Sequence, residues 1–481
     1  MMKMEIEDEE NAIPNENYIL RVENLGVNFY TLKGKLNVIK NVSFNVRQGE
    51  ILGIVGETGC GKTVTSMALV DQLPLGRGII ENGKIIFKGV DLAQIYRKKH
   101  TVRTNKKGKV KIRINKVAVK KNRIAVRNSG IKISLIFQDS MASLDPLYRI
   151  STQLLETILN VNYEKVLSRL SEKSKLYSDR GFMNQLEKTS SFNEFLKLFN
   201  SAYGNSANFA EELFFINELN LKNDEKIKML RASLEAAKVF NSSNTNKMIL
   251  ARKLSNIHGK DRIFTATSLA RKIKRKRKDA YITEALIYAK EMLEFAGIKN
   301  SEVVLFQYPH QLSGGMRQRV MIALAIAADP DLIIADEPTT ALDVITQAGI
   351  IRLFRNLNRE FGRTIITISH NLGVISHLCD SVCVMYAGNI VEYGRTEELF
   401  KNPLHPYTRG LIGCLPSSNN ELLEAIPGSL PSLSDPPKGC LFYDRCSSAM
   451  EICRDNYPPP VKYGYGVVNC WLYSGEKKND E

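Results

Sequence analysis

The chain has 481 residues, of which 43% are hydrophobic, and its formal net charge is +16. This length allows two or three domains with a large buried core. No uninterrupted apolar run reaches the roughly 18 residues that a membrane-spanning helix requires, so we expect no transmembrane helix.

The first 17 residues are predicted to form a disordered acidic leader, because five of the six residues from 5 to 10 are Asp or Glu. A secretory signal begins with the opposite charge. We therefore expect the protein to remain in the cytoplasm.

An apolar, β-rich run at residues 51–55 leads directly into a sequence that fits the pattern G-x-x-x-x-G-K-[ST]. Its residues are Gly56, Glu57, Thr58, Gly59, Cys60, Gly61, Lys62 and Thr63. Glycines let backbone N–H groups turn toward one anion, Lys62 supplies a positive charge for β- and γ-phosphates, and Thr63 offers a hydroxyl to Mg²⁺. This segment predicts a strand followed by a phosphate-binding loop.

Positive charge is concentrated in two segments. Residues 97–132 carry fifteen Lys or Arg and no acid, and residues 271–278 carry seven more, so the rest of the chain is mildly acidic. Residues 109–120 alternate charged and apolar side chains, which predicts an exposed hairpin. Three interpretations of the basic segments remain open: a solvated face, a contact with anionic lipid headgroups, or a contact with RNA.

Two further segments carry groups suited to nucleotide chemistry. Ser313, Gly314 and Gly315 precede a run rich in Ala, Met and Ile, and free N–H groups at such a helix start favour an anion. The apolar run 331–335 predicts a buried strand that ends in Asp336, a candidate Mg²⁺ ligand. Glu337 comes next and is the candidate general base for an attacking water.

Residues 312–319, Leu-Ser-Gly-Gly-Met-Arg-Gln-Arg, together with the phosphate loop and the paired acids, resemble the ATP-binding cassette (ABC) ATPases. The resemblance implies an α/β fold with a RecA-like core, an antiparallel β subdomain and a helical subdomain. It also implies that Gln138 senses Mg²⁺ and the membrane partner, that Asp343 lies in a loop crossing to a second subunit, and that His370 contacts the γ-phosphate.

In this family the site at Ser313, Gly314 and Gly315 serves ATP bound by the partner, so that two cassettes enclose two nucleotides. Adenine stacks on an aromatic ring early in the domain, for which Phe29 and Tyr30 are both available. Without the other motifs, a lone His such as His370 is more often structural than functional.

The resemblance also divides the chain. The ATPase domain is expected at 18–415, with a basic insertion at about 97–132 and an insertion in the helical subdomain at about 160–283. Helical periodicity at 195–199 and a Ser/Asn-rich break at 241–244 occur within the second insertion. A small extension is expected at 416–481.

Flanking sequences narrow the resemblance. Residues 308–311 (Tyr-Pro-His-Gln), 385–388 (Met-Tyr-Ala-Gly) and 405–408 (His-Pro-Tyr-Thr) resemble the dipeptide/oligopeptide and nickel importer subfamily. This implies a peripheral subunit on the cytoplasmic face of the cell membrane that uses ATP and Mg²⁺. The implied partners are a second ABC ATPase subunit, two transmembrane permeases and an extracellular peptide-binding protein. These residues do not distinguish an importer of peptides from an importer of nickel.

The extension holds four of the eight cysteines, Cys440, Cys446, Cys453 and Cys470. A reducing cytoplasm disfavours disulfides, so metal binding is a natural purpose for the cluster. Some members of the subfamily hold a [4Fe–4S] cluster at cysteines with this layout. Zinc and unligated thiols remain the alternatives, although the spacing lacks the C-x2-C pair typical of structural zinc.

A function of another class also fits part of the sequence. A soluble ABC protein acting on ribosomes or nucleic acid would use the basic insertions as its binding surface. Such proteins usually carry two cassettes in one chain, whereas this chain has one set of motifs. We therefore expect no specific nucleic-acid partner.

Overall fold

The computed structural model of the protein describes residues 18–31, 34–104, 110–119, 121–122, 131–139, 143–178, 182, 185, 188–189, 191–203, 222–227, 230, 268–340, 342–415, 426–432 and 436–474. The predicted leader and the break at 241–244 lie outside the described residues. The chain divides into two compact units. One comprises Met1–Gln138 and Pro330–Glu481, and the other comprises Asp139–Asp329.

The strands are, in chain order, β1 Tyr18–Thr31, β2 Gly34–Arg47, β3 Ile51–Val55, β4 Gly78–Phe87, β5 Val90–Asp91, β6 His100–Thr104, β7 Val110–Ile114, β8 Ile133–Ile136, β9 Leu332–Asp336, β10 Thr364–Ile368, β11 Ser381–Tyr386, β12 Asn389–Arg395, β13 Val461–Tyr463 and β14 Gly466–Val468.

The α-helices are, in the same order, α1 Lys62–Leu69, α2 Leu92–Arg97, α3 Ile150–Val161, α4 Tyr163–Ser178, α5 Phe192–Tyr203, α6 Ser268–Phe295, α7 Ser301–Phe306, α8 Gly314–Ala327, α9 Val344–Phe361, α10 Leu372–Leu378, α11 Thr396–Lys401, α12 Pro406–Gly413 and α13 Glu451–Asp455.

The first unit is built on a mixed sheet whose strands follow the order β5-β4-β1-β2-β12-β11-β3-β10-β9-β8. Strands β1, β2 and β4 pair antiparallel, whereas β11, β3, β10, β9 and β8 are parallel. Every residue of β3, β9 and β10 is buried, as expected for the centre of a parallel sheet. The carboxyl ends of parallel strands share one edge, so the loops that follow β3, β8, β9 and β10 meet there.

Residues of the C-terminal extension add to this sheet. Strand β14 pairs antiparallel with β12, so that Val468 lies opposite Glu392. The buried Glu392 carboxylate accepts hydrogen bonds from the backbone N–H groups of Leu404 and His405 and from the Tyr465 hydroxyl. A carboxylate with this many donors fixes the extension firmly against the sheet.

The basic insertion contains a hairpin, but its strands differ from the predicted ones. Strand β6 pairs antiparallel with β7, with His100 opposite Ile114. The alternating pattern at 109–120 therefore supplies only the second strand, and residues 116–119 are helical. The first strand of the hairpin lies upstream of the alternating pattern, at His100–Thr104.

The second unit is helical and contains α3 through α8. The predicted periodicity at 195–199 is confirmed, because Phe195 and Phe199 are buried on one face of α5 with ring centroids 6.3 Å apart. Arg169 is buried between Glu284 and Glu291, to which it donates hydrogen bonds of 2.7–2.8 Å. Within the described part of the chain, no helix is long and apolar enough to cross a membrane.

Candidate functional site

The phosphate loop lies between β3 and α1, and two of its glycines are required by close contacts. Gly56 has φ 152°, and a Cβ there would lie 2.2 Å from the Met385 carbonyl oxygen. Gly61 has φ 106°, and a Cβ there would lie 2.6 Å from Ile39 Cδ1. Any other residue would displace the backbone, so the glycines keep the loop close to the sheet.

Lys62 begins α1 and points its ammonium group into the loop. Its Nζ donates to the carbonyl oxygens of Gly56 at 2.8 Å and Glu57 at 3.0 Å, and the residue is 6% exposed. The neighbouring Cys60 is buried, and this burial raises the pKa of its thiol. The loop therefore holds a desolvated positive charge that phosphate oxygens can attract from its carbonyl partners.

Asp336, at the end of β9, is suited to a hydrated Mg²⁺ ion. The residue is 3% exposed, and its Oδ1 has no hydrogen-bond partner within the described structure. Burial raises the pKa of Asp336, while the Thr63 hydroxyl bonded to the carboxylate acts against this rise. An unsatisfied buried carboxylate oxygen beside a threonine hydroxyl is the hard oxygen donor set that Mg²⁺ prefers, so these residues fit the ion.

Glu337 is the centre of a hydrogen-bonded group of side chains. Its Oε2 accepts from Gln138 Nε2 at 2.8 Å and from Thr340 Oγ1 at 2.9 Å, and its Oε1 lies 3.0 Å from His370 Nδ1. Partial burial acts to raise the pKa of Glu337, but hydrogen bonds from His370 and Thr340, with the charges of His370 and Lys62, lower it on balance. The group keeps this carboxylate ionised.

Glu337 also has an unusual backbone. Its φ is 47°, in the left-handed region that a non-glycine residue rarely adopts. Its N–H donates to the Ile368 carbonyl oxygen at 2.9 Å, which fixes the chain as it leaves the sheet. Such strain costs on the order of 1–3 kcal/mol and is common where a side chain must be aimed at a ligand.

Eight of the predicted residues, from the phosphate loop and from the loops that follow β8, β9 and β10, line a cavity of about 370 Å³. It is lined by Val38, Thr58, Gly59, Gly61, Lys62, Thr63, Val64, Gln138, Glu337, Thr340 and His370. The sequence patterns did not identify Thr340 as a site residue. Its position only three residues after Glu337 was the one local indication that the two side chains could meet. Phe29 is absent from the lining of this cavity as far as the described residues show, and it packs partly buried against the core of the sheet.

Two predicted residues cap helices. Ser313 is the N-cap of α8, and its hydroxyl accepts a hydrogen bond from the Met316 N–H at 3.3 Å. Ser313 and Gly314 are exposed there, and Gly315 is partly buried. Asp343 is the N-cap of α9 and accepts from the backbone and hydroxyl of Thr346, which lower its pKa.

The four cysteines of the extension do not form a ready metal site. Cys440 and Cys453 are joined by a backbone hydrogen bond of 2.7 Å, and all four thiols are free. Burial raises the pKa of the Cys440 thiol to about 11. No group of three or more His, Cys, Asp or Glu among the described residues is arranged to hold a metal. The geometry therefore does not support the predicted iron–sulfur cluster.

A phosphate loop, an Mg²⁺-facing aspartate and an adjoining glutamate at the carboxyl edge of a parallel sheet together define a P-loop ATPase. Comparison with known families agrees. Residues 39–190 and 216–340 match the family described as "ABC transporter". Residues 391–453 match "Oligopeptide/dipeptide transporter, C-terminal region".

Individual relatives extend over most of the chain. "Oligopeptide transport ATP-binding protein OppD" of Bacillus subtilis is 33% identical over 94% of this chain and 88% of its own length. "Dipeptide transport ATP-binding protein DppD" of the same organism is 30% identical over 94% of each chain. A solved dimeric bacterial ABC transporter cassette is 16% identical, with a TM-score of 0.40 over 78% of this chain and 98% of that one. The protein belongs to the ABC transporter family and carries the C-terminal region of its oligopeptide/dipeptide members.

Proposed function

We propose that this protein is the ATP-hydrolysing subunit of an ABC importer that takes up oligopeptides or dipeptides. The observation that carries the ATPase assignment is the Glu337 group, in which an ionised carboxylate borders the cavity that Lys62 enters. The names of the relatives support the peptide cargo. An importer of nickel or another small solute is the alternative, because cargo is selected by other subunits.

The side chains divide the chemistry among them. Lys62 and the loop N–H groups bind and orient the phosphates of ATP. Mg²⁺, held by Asp336, Thr63 and Gln138, would neutralise charge on the phosphate oxygens. Glu337 accepts the proton of the attacking water, and His370 orients the carboxylate and lies at the edge of the γ-phosphate position.

The remaining predicted residues act between two cassettes in this proposal. Ser313, Gly314 and Gly315 present an exposed helix N-terminus, which suits the phosphates of ATP bound by a second ABC subunit. Asp343 immediately precedes the exposed start of α9, where Val344 and Ile345 are 80% and 85% exposed. Exposed apolar residues at this turn support a contact with the second subunit.

The proposal places the protein at the cytoplasmic face of the cell membrane. Its partners there are two transmembrane permeases, and an extracellular peptide-binding protein delivers the cargo. Closure of the two cassettes on ATP drives the permeases, and hydrolysis reopens them. Contact of the basic hairpin with anionic lipid is the further interaction that its charge supports.

An iron–sulfur cluster remains a proposal that requires rearrangement of the extension. What supports it is the presence of four soft ligands within 31 residues, since Cys440, Cys446, Cys453 and Cys470 influence one another electrostatically. Anaerobic purification followed by iron, zinc and sulfide analysis tests it. About four irons per chain would support the cluster, one zinc would favour the alternative metal, and a metal-free protein would leave the cysteines as thiols.

The subunit assignment is tested by affinity purification of the tagged protein from detergent-treated native membranes. We expect co-purification of a second ABC subunit and two permeases, and ATP-dependent peptide uptake after reconstitution into vesicles. Copurification of ribosomal proteins in place of permeases would favour the soluble alternative. Uptake of nickel without uptake of peptides would identify the other cargo.

A further inference from the structure

A salt bridge joins the C-terminal extension to the phosphate loop. Arg445 donates from both terminal nitrogens to the two carboxylate oxygens of Glu57, each at 2.9 Å. The Arg445 side chain is 6% exposed and that of Glu57 is 27% exposed. Arg445 also donates to the Pro427 carbonyl oxygen at 2.7 Å and to the Tyr386 hydroxyl at 3.3 Å. Two parallel bonds and further acceptors fix the guanidinium in one geometry.

Glu57 connects this salt bridge to the nucleotide-binding lysine. Its N–H donates to the Tyr407 hydroxyl at 2.9 Å, and its carbonyl oxygen accepts from Lys62 Nζ at 3.0 Å. The side chain, N–H and carbonyl of this one residue are therefore each bonded to a different part of the molecule. A displacement of Glu57 would move an acceptor of the Lys62 ammonium.

The charge of Glu57 is unfavourable for the function of its loop. The loop binds the highly anionic phosphates of ATP, and a carboxylate within it repels them. Arg445 places the opposite charge directly on this carboxylate. Arg445 does not line the cavity in the described structure, and its hydrogen bonds to the phosphate loop are those to Glu57.

We propose that Arg445 of the C-terminal extension is a positioning residue of the ATP site, which neutralises Glu57 and fixes the first half of the phosphate loop. The extension, in this view, contributes directly to nucleotide affinity. The proposal rests on the proposed ATPase function, and the two are separable, because the unaltered protein must bind ATP whether or not Arg445 contributes.

The test is equilibrium binding of ATP without Mg²⁺, measured by calorimetry on the full chain so that no hydrolysis occurs. Arg445→Ala exposes the Glu57 charge and should raise the Kd for ATP by about tenfold, the effect of one unscreened charge at the site margin. Arg445→Lys keeps the charge and should stay within about threefold of the parent. Arg454→Ala removes an exposed arginine of the same extension and is the matched control, with unchanged affinity.

A double-mutant cycle tests whether Arg445 affects ATP binding through the Glu57 carboxylate or independently of it. If Arg445 acts through Glu57, adding Arg445→Ala to Glu57→Ala should cause no loss of ATP affinity beyond that of Glu57→Ala alone. The Arg445→Ala defect should also grow at low ionic strength, which loss of a purely structural contact would not produce. In the complete transporter, KM for ATP should rise while kcat is retained.

Three outcomes would overturn the proposal. The first is parental ATP affinity in Arg445→Ala. The second is a loss on adding Arg445→Ala to Glu57→Ala as large as in the parent, which would mean that Arg445 acts on ATP without Glu57. The third is a loss of about tenfold or more in Arg445→Lys, which keeps the positive charge beside Glu57, and this arm decides the matter if thermal unfolding shows that Arg445→Ala does not fold. Failure of the parent to bind ATP would instead refute the proposed function.

Discussion

The imidazole Nδ1 of His370 lies 3.0 Å from Oε1 of Glu337, while the other carboxylate oxygen accepts from Gln138 and Thr340. Both oxygens of this carboxylate, the proposed general base, therefore have side-chain partners. Gln138 and His370 follow different strands. The orientation of the Glu337 carboxylate therefore depends on the positions of two loops. Oε1 has a further acceptor position beyond its contact with His370, so an attacking water can hydrogen-bond to this carboxylate while all three contacts persist.

Replacement of Glu337 by Gln should preserve ATP binding and nearly abolish turnover. The amide fills the same space but cannot accept a proton from water, so we expect kcat to fall by at least about 100-fold. The measurement is phosphate release by the complete complex, alongside ATP binding to the purified variant. Lys62→Ala is the contrasting variant, because it should weaken ATP binding itself. Turnover within a few-fold of the parent would show that Glu337 is not the base.

Ser313→Arg should impair hydrolysis at the nucleotide site of the second cassette. The added bulk and charge would stand at the exposed start of α8 and keep the cassettes from closing. Photolabelling of each cassette in a heteromeric complex during turnover measures the two sites separately. Loss restricted to the Lys62 site would contradict the arrangement in which Ser313 serves the partner's ATP.

The basic hairpin should be dispensable for ATP binding. We predict that replacing residues 100–114 with a short Gly/Ser turn leaves the Kd for ATP unchanged, because none of them lines the cavity in the described structure. Lys99 and Asn122 should be kept, since they contact Asp71 and the Ile95 carbonyl oxygen. Sedimentation with anionic vesicles at low and high salt measures the lipid contact, and unchanged salt-sensitive binding would remove the lipid hypothesis.

His405 should make the fold sensitive to acid. Burial, with the nearby charge of Arg409, lowers the pKa of His405 to about 3. The unfolded chain then takes up a proton near pH 6.5 that the folded chain refuses, so stability falls as pH drops from about 6.5 toward 3. Between pH 7 and 5 the parent should lose about 2 kcal/mol more than His405→Asn, which retains a capping acceptor for Tyr407.

Denaturant unfolding of both proteins at the two pH values gives this difference, because all other titrating groups are common to them. An equal loss of stability in parent and variant would show that His405 is protonated when folded.

The buried ion cluster around Arg169 should be essential for the helical unit. Arg169→Ala would remove three charge-assisted hydrogen bonds to Glu284 and Glu291, at a cost of about 3–5 kcal/mol in unfolding free energy. Lys401→Ala is the control, because it breaks an exposed pair with Glu397 and should cost under about 1 kcal/mol. Similar midpoints for the two variants in denaturant unfolding would contradict this expectation.

The sequence patterns indicated that Lys62, Gln138, Glu337 and His370 would lie close together, for a specific physical reason. Lys62, Gln138, Glu337 and His370 each follow an apolar run, and these runs become parallel strands whose carboxyl ends share an edge. Local pattern therefore determined their three-dimensional proximity. The ring that stacks on adenine stays a prediction, since Phe29 packs against the sheet and is not in contact with the described cavity.

Contacts between distant segments could not be predicted in this way. Arg445 and Glu57 are 388 positions apart, and neither lies in a periodic pattern that indicates a partner. The hairpin partner of residues 110–114 was likewise set by pairing with His100–Thr104, where the upstream sequence shows no clear alternation. Such pairings depend on how complete elements pack, which a single sequence does not encode locally.

The order in which a ribosome makes this chain gives the Arg445–Glu57 salt bridge a further consequence. Glu57 is added to the chain 388 residues before Arg445. Throughout that interval the phosphate loop carries a negative charge with no guanidinium to offset it, and β12 has not yet received β14. A nascent chain therefore cannot form the Arg445–Glu57 salt bridge or the β12–β14 pair until translation has passed the residues of the extension that make them.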